Sequence, residues 1–540
     1  MIAPRLRLFN VLAWAVAVLA CWRALTPFPH HQQPREWHVS VQGSDLWGDG
    51  SRATPWRSIQ FACDLAIPGD RIAVLPGTYS ERVHLRRGGT LRQPVTLVAE
   101  PPGSVVITAA CSENECSVAT WRDEGAGLYS TEIDWPIHMV TAGGQQLFRV
   151  PWGGLPQLRE LVQRPAAKGA FWFEARRLFV GLQQGQHPNG AALIWHRRVP
   201  PPREWGEFKS ANVWVEADHV VLSGLRLEFG LGAAVRIWNG SHLLVEDCEF
   251  TGCTHGVKAG AGVKPAPHLR INRCWYHNSP QADWGRDWLT WLEVYGAYSS
   301  STLCGTYDRP VSIRDNLVTD FGDGLQISPR LDPEMEGSAE LVGNWLAFGT
   351  DDAFELDGEG HGVLIQDNVV IDVHEGISLS PLTEGPVSIV GNLFWNPVGG
   401  LNGSQLKFIP PETFRGPAAR IQRVTVEDNV VCGEWLSWRG DVSVQDVVIR
   451  HNVFQIDHQM SPPWPPGVAD EANFYRVPRD VTVTTAAMFL ESLAGDGRNP
   501  EAALTAGAME RLLDRRPGPM WLNWENHPTT KRLLQLTRAD

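Results

Sequence analysis

Three short stretches hold acids at positions where they can act together: FGDGLQIS, TDDAFELD and HEGISLS. Aligned on apolar Leu325, Phe354 and Ile377, they stack Asp323, Asp352 and Glu375 in one column, with Asp351 and His374 in the column before it. Ile327, Leu356 and Leu379 form the next apolar column. The positions between point outward: Gln326, Glu355 and Ser378, then Ser328, Asp357 and Ser380. Lys407, in LNGSQLKFI, follows on the next copy. If the copies lie one strand spacing apart, about 4.8 Å, at least four carboxylates and a histidine share one face. Like charges that close raise the pKa of at least one of them, so a single site can hold both an acid and a base. Crowded carboxylates also suit a hard cation, and Glu355 and Asp357 beside Asp351 and Asp352 are candidate calcium ligands. Asp and Gly favour turns in any fold, so one Asp-Gly would carry no weight. A stack over three copies followed by a lysine does.

The elements that must position these residues are a repeat beginning near residue 211. VSIRDNLVTDFGDGLQIS, VLIQDNVVIDVHEGISLS, VSIVGNLFWNPVGG, VTVEDNVVCGEWLSW and VVIRHNVFQI share an alternating β-branched strand, a polar or glycine residue, an Asn and a second short strand. The Asn positions 316, 344, 368, 392, 429 and 452 are spaced 28, 24, 24, 37 and 23 residues apart, and Cys248 and Cys274 fill the slot in earlier copies. Period-two alternation repeated every twenty-odd residues predicts a solenoid of short strands. Asn tolerates a left-handed bend between strands, and its side chain can bond its equivalent one coil away.

This pattern resembles the right-handed parallel β-helix superfamily of pectate lyases and polygalacturonases, whose coils carry such an asparagine ladder. The start of the chain resembles it too. HVSVQGSDLWGDGSRATPWRSIQFACDLAIPGDRIAVLPGTYSERVHL places a short amphipathic helix near Ser58–Ala66, which would cap the open end of the coil. Within the superfamily, Phe321-Gly322-Asp323-Gly324, Thr350-Asp351-Asp352, Val373-His374-Glu375-Gly376 and Gln405-Leu406-Lys407 look like the polygalacturonase motifs Asn-Thr-Asp-Gly, Gly-Asp-Asp, Gly-His-Gly and Arg-Ile-Lys. The resemblance implies that Asp351 is a general acid and that Asp323 and Asp352 activate water. It further implies that His374 supports them and that Lys407 holds an acidic sugar's carboxylate, as in an inverting glycosidase. The chain departs from the pattern at Phe321, Thr350, Glu375 and Gln405, and loss of the Arg at 405 weakens the case for strict uronic-acid recognition. Gln326, Glu355, Glu375, Gln405 and Trp435 complete the expected substrate-binding set. The rival implied by the same superfamily is a lyase with Lys407 as base and calcium on Glu355 and Asp357. A non-catalytic glycan-binding protein of the cell envelope is the third reading.

Aromatic residues flank the acids. The gap between Cys274 and Asn316 holds Trp284, Trp288, Trp291, Tyr295 and Tyr298 and leaves the coil one turn before Asp323, so it should overhang the acidic column. Trp435 and Trp438 lie on the coil after Lys407. Aromatic faces stack on sugar rings. Trp288 and Trp291, three apart, are expected instead to pack the insertion's own core. His255 is read as an exposed turn histidine.

The chain has 540 residues, 47 Lys+Arg against 60 Asp+Glu, 52 Gly and 39 Pro. The acidic balance excludes a nucleic-acid binder, which needs a basic face. Arg5 and Arg7 precede an apolar run, Leu8 to Trp22, too short to span a bilayer comfortably. It reads as an export signal or anchor, and Val18-Leu19-Ala20-Cys21 resembles a lipoprotein processing box. An exported chain permits disulfides; Cys111 with Cys116 and Cys248 with Cys253 are the pairs closest in sequence, but connectivity stays open.

The sequence thus predicts an all-β right-handed parallel β-helix, divided as follows: leader or anchor 1–24, N-terminal coils 38–110, β-rich insertion 111–205, main solenoid 206–460 and a C-terminal tail 461–540 covering the other end, with helices near 484–494 and 501–514. The expected protein is exported and monomeric, touches membrane only through its leader, and acts on a polysaccharide without a required cofactor.

Overall fold

The computed structural model describes residues 33–538 apart from short stretches, the longest being 197–210, 261–267, 279–286, 328–336 and 409–419. The leader with Cys21, Trp284, Ser328, Asp357 and Ser380 lie outside the described residues. Among the described residues no helix is long and apolar enough to cross a membrane.

The chain winds into a right-handed parallel β-helix whose three sheets have 13, 10 and 12 strands. Each coil gives one strand to each sheet in turn, as in Val311–Arg314, Leu317–Thr319 and Leu325–Ile327. The register is in phase from coil to coil: Ile313 pairs with Leu341, then Ile365, Ile389, Val426 and Ile449. All six are buried, and such columns make the core. Parallel strands buried on one face by stacking on themselves need no second layer there.

The asparagines form the ladder the repeat predicts. Each backbone N–H donates to the Oδ1 of the next Asn, from Asn316 to Asn344 at 3.1 Å through to Asn452 and Asn473 at 2.8 Å. Cys274 joins it through a 2.8 Å bond from its N–H to Asn316 Oδ1. The left-handed bend falls one residue earlier than expected, on Asp315, Gly343, Asp367, Gly391, Asp428 and His451. Asp, Gly or His takes the bend, and the Asn side chain is left to point inward.

Helix α1 (Ile59–Leu65) is N-capped by Ser58 and buries Ile59, Ala62 and Cys63 in the solenoid core beside the first coil. After the Cys111–Cys116 disulfide, residues 122–195 build a five-stranded and a three-stranded sheet with helix α2 (Gly154–Leu161). Cys248 and Cys253 are free and buried. Helix α3 (Trp291–Tyr298) leaves the coil before Asp323. Of the tail helices, α4 (Ala486–Ala494) and α5 (Pro500–Leu513) lie close to their expected places, and α6 (Pro528–Thr537) is additional.

The tail helices do not sit over the end of the coil. They lie along the outer face of the 12-stranded sheet, against Trp275, Leu317, Trp345, Leu393, Trp395 and Val430. Those positions alternate outward from the core and are apolar, so the flank needs a cover. The tail runs back far enough for Trp521 Nε1 to donate to Asp247 O at 2.8 Å. Near the end itself, Trp464 packs on Phe408 and Phe454.

Candidate active site

The floor of the site is the 10-stranded sheet. Leu325 pairs with Phe354, then Ile377, then Leu406, all facing the core, while Gln326, Glu355, Ser378 and Lys407 pair in the outward column. At the corner just before these strands the alternation breaks. Gly324, Ala353, Gly376 and Gln405 turn inward; a Cβ on Gly324 would stand 2.5 Å from Leu346 Cδ2 and one on Gly376 2.9 Å from Phe394 Cδ1. The preceding residues Asp323, Asp352 and Glu375 therefore face out as well. Two outward columns three residues apart bring the acids together.

Oxygens of Asp323, Asp352 and Glu355 lie within 4.8 Å of one another, and so do those of Asp351, Asp352 and Glu375. Lys407 Nζ sits 2.5 Å from Glu375 Oε2 and 3.4 Å from Asp352 Oδ2. Gln326 Nε2 donates to Glu355 Oε2 at 2.8 Å. Asp352 is 4% exposed, and among the described residues its buried Oδ1 has no hydrogen-bond partner. Burial pushes the Asp352 carboxyl well above the ordinary carboxylate range; Lys407 pulls it down, but Glu375 and Asp351 push it up further. Burial lowers the Lys407 ammonium, yet Asp352 and Glu375 outweigh it, so the lysine stays charged.

Helix α3 forms the wall. Trp291 Nε1 donates to Thr350 O at 2.9 Å, and its ring stands 4.3 Å from that of His374 and 5.3 Å from that of Tyr295. The Tyr295 phenol is raised chiefly by Asp351, then by burial and Asp323, as befits a hydroxyl within electrostatic reach of the carboxylates. The helix is held from behind by the inserted unit: Trp288, Leu289, Val294 and Tyr298 pack on Leu128, Phe148 and Leu158, and Arg164 pairs with Glu293 at 2.9 Å.

Asp323, Asp351, Asp352, Glu355, Glu375, Gln326 and Lys407 thus share one face, with His374 at its rim under Trp291. Trp288 is buried as expected, but in a core shared with the 122–195 unit, against Phe148, rather than in one of its segment's own, whereas Trp291 is 36% exposed and serves the wall. Gln405 is not a surface residue: it is fully buried in the inward corner column, with Nε2 3.4 Å from Val373 O. The backbone of Trp435 pairs with Ser404 on the same sheet, while its side chain and Asp357 lie outside the described residues. His255 is no exposed turn residue. It is 8% exposed, with Nδ1 3.0 Å from Gly232 O and Nε2 2.8 Å from Lys258 Nζ.

The outward column continues through residues the motifs did not flag. From Gln326 it runs back through Gly305, Lys258, Arg236, Trp214 and His84. Arg236 and Lys258 stand 22 residues apart in AAVRI and HGVK, and that spacing was the available signal. Burial, then Arg236, holds the Lys258 ammonium below its ordinary value. Trp214 and His84 both contact Glu216. One face therefore carries cations on its early coils and carboxylates on its later ones.

Chemically, the cluster can keep a proton among several carboxylates and set a carboxylate against a water. Asp323, Asp352 and Glu355 are hard oxygen donors that fit a divalent cation, whereas Lys407 already occupies the Asp352–Glu375 side.

No family model and no curated protein matches the chain. Solved structures similar to it include a complex of XylC with xylose (12% identity, TM-score 0.46, covering 82% of this chain and 86% of that one). Also similar are a mannuronic acid specific polysaccharide family 6 lyase from human gut microbiota (11%, 0.40, 92% and 98%) and the pectate lyase Pel9A (12%, 0.40, 88% and 88%).

Proposed function

We propose that the chain acts on a polysaccharide lying along the outward face of the 10-stranded sheet and hydrolyses its glycosidic bonds. The observation that carries this reading is the convergence of Asp323, Asp351, Asp352, Glu355 and Glu375 around one lysine at the foot of an aromatic wall. A single cation cannot balance that many carboxylates, so the cluster retains a proton, and the proton belongs to the group rather than to one residue. Asp352 is the buried member that favours the protonated state. Asp351, more exposed and beside it, delivers the proton to the glycosidic oxygen. Asp323 directs water. Lys407 is engaged by Asp352 and Glu375, so it steadies the cluster rather than holding a substrate carboxylate. The early leader and the Cys111–Cys116 disulfide support an oxidising compartment outside the cytoplasm.

The test is a panel of polysaccharides with product analysis. Asp351→Asn and Asp352→Asn should each lower turnover by about 10²–10⁴-fold with the melting temperature largely kept. The products should lack ultraviolet absorbance. Full turnover by both variants would overturn the assignment.

A lyase is favoured by a different observation from the one first expected. Lys407 is held charged and is a poor base, but Lys258 has a lowered pKa and lies beside Arg236. Products absorbing in the ultraviolet, lost in Lys258→Ala or dependent on calcium, would replace the hydrolase with this reading. Glycan binding without turnover would leave a binding protein.

A further inference from the structure

We infer that Glu36, His38 and Glu100 form a binding site for a zinc-class divalent cation, and that the ion clasps the first strand of the 13-stranded sheet to the third. The site lies on the first coils, on a different sheet from the acidic face, and does not depend on what the chain acts on.

Glu36–Val39 is the edge strand of that sheet and pairs along its length with Arg71–Val74. Trp37 and Val39 turn into the core, so Glu36 and His38, two apart, share the outer face. An outward position at a sheet's edge is ordinarily wet, but His38 is only 7% exposed. Both its ring nitrogens are buried, and among the described residues neither has a hydrogen-bond partner. A buried polar atom left without a partner is costly, so this imidazole is shaped for a ligand from outside the chain. Glu36 Oε1 lies 3.4 Å from His38 Nε2, close but without hydrogen-bond geometry.

The third donor comes from two strands on. His38 pairs with Ala73 and Ala73 with Val98, and Glu100 follows two residues later. The small Ala73 side chain leaves room above the middle strand. One donor atom from each of Glu36, His38 and Glu100 lies within 4.8 Å of the others. A tetrahedral ion with bonds of about 2.0–2.2 Å holds its donors about 3.4 Å apart. The Glu36–His38 edge already has that length, and Glu100 needs only a small side-chain movement. One imidazole with two carboxylates suits zinc and its neighbours better than calcium, which takes oxygen donors throughout. The fourth position is left to water.

Two arginines compete for the carboxylates. Arg71 pairs with Glu36 at 2.7 Å and with Glu100 at 3.4 Å, and Arg52 pairs with Glu100 at 2.7 Å. Arg52 is 64% exposed, and ion pairs in contact with water contribute little. Both guanidinium groups can swing into solvent, which leaves two carboxylates to neutralise the ion.

The test is zinc titration of the full chain after stripping with a chelator, read as bound metal per chain and as melting temperature. One zinc per chain should bind, and the melting temperature should climb with zinc concentration. His38→Gln should remove that equivalent and its thermal shift. Glu36→Gln, at a half-exposed position, should weaken zinc tenfold or more and keeps the test open if the buried variant does not fold. Arg52→Ala should bind zinc more tightly than the parent, because a competitor is gone. Asp352→Asn should keep the equivalent, which separates this site from the carboxylate face. Cobalt in place of zinc should give visible absorbance bands that vanish in His38→Gln. No zinc bound by the parent, or an equivalent that survives both His38→Gln and Glu36→Gln, would overturn the inference.

Discussion

Lys407 shows how much of the site is settled by single residues. It is mostly buried, yet its charge is retained because two carboxylates face it at 2.5 and 3.4 Å. Replacing it with methionine would leave Glu375 and Asp352 without their cation in a desolvated place. Breaking a buried pair from one side costs about 3–5 kcal/mol. Lys407→Met should therefore lower the urea midpoint by the equivalent of about 3 kcal/mol, measured against Ser378→Ala on the neighbouring coil as a mild control. The acids were legible because a turn column in an in-phase repeat must stack. Gln405 was misplaced because it was carried over from the Arg of the Arg-Ile-Lys motif, whereas at this corner Gly324, Ala353 and Gly376 fold inward and position 405 goes with them. His255 was misplaced for a related reason: its turn column is roofed, and its ring nitrogens are taken by Gly232 and Lys258. Arg236 and Lys258 escaped notice because two cations on separate strands make no motif until the register joins them.

Among the elements, the asparagine ladder was the most legible, since six asparagines in step admit few other arrangements. Asn368 accepts from the N–H and Nδ2 of Asn344 and donates to Leu341 O and Asn392 Oδ1, all buried. Asn368→Ala would strand several of these groups, each costing about 1–3 kcal/mol when left unpaired. The expected loss is about 3 kcal/mol or more in chemical denaturation. Asn473→Ala, at the half-exposed end of the ladder, should lose less. The bend residue before each Asn was harder to assign, because Asp, Gly and His all fill it and only backbone angles separate the two positions. The inserted unit was visible as a break in the repeat. Its role in bracing α3 was not, because the apolar residues that join it to the helix lie more than a hundred positions apart.

At the scale of the molecule, several histidines are buried uncharged. Burial first, with nearby positive groups, holds His196 and His255 down to about 3 and His527 to about 4. In the unfolded chain these groups titrate near 6.5. Below that pH the unfolded chain takes up protons that the native state refuses, so stability is full above about pH 6.5 and falls as the pH drops toward 4. The melting temperature should follow that course. His527→Asn keeps an acceptor for the Thr529 N–H at the start of α6 and removes the titrating ring, so its curve should be flatter in the same window.

The docking of the tail has a consequence for how the chain is made. Trp275, Trp345 and Trp395 form an adhesive seam on coils synthesised well before the helices that shield it, and Trp521 must travel back to Gly103 and Asp247 to close it. Until the last residues arrive, every growing copy displays the same sticky strip. A product cut short before residue 484 would never lose it, and would clump with its siblings while its coils were still properly wound.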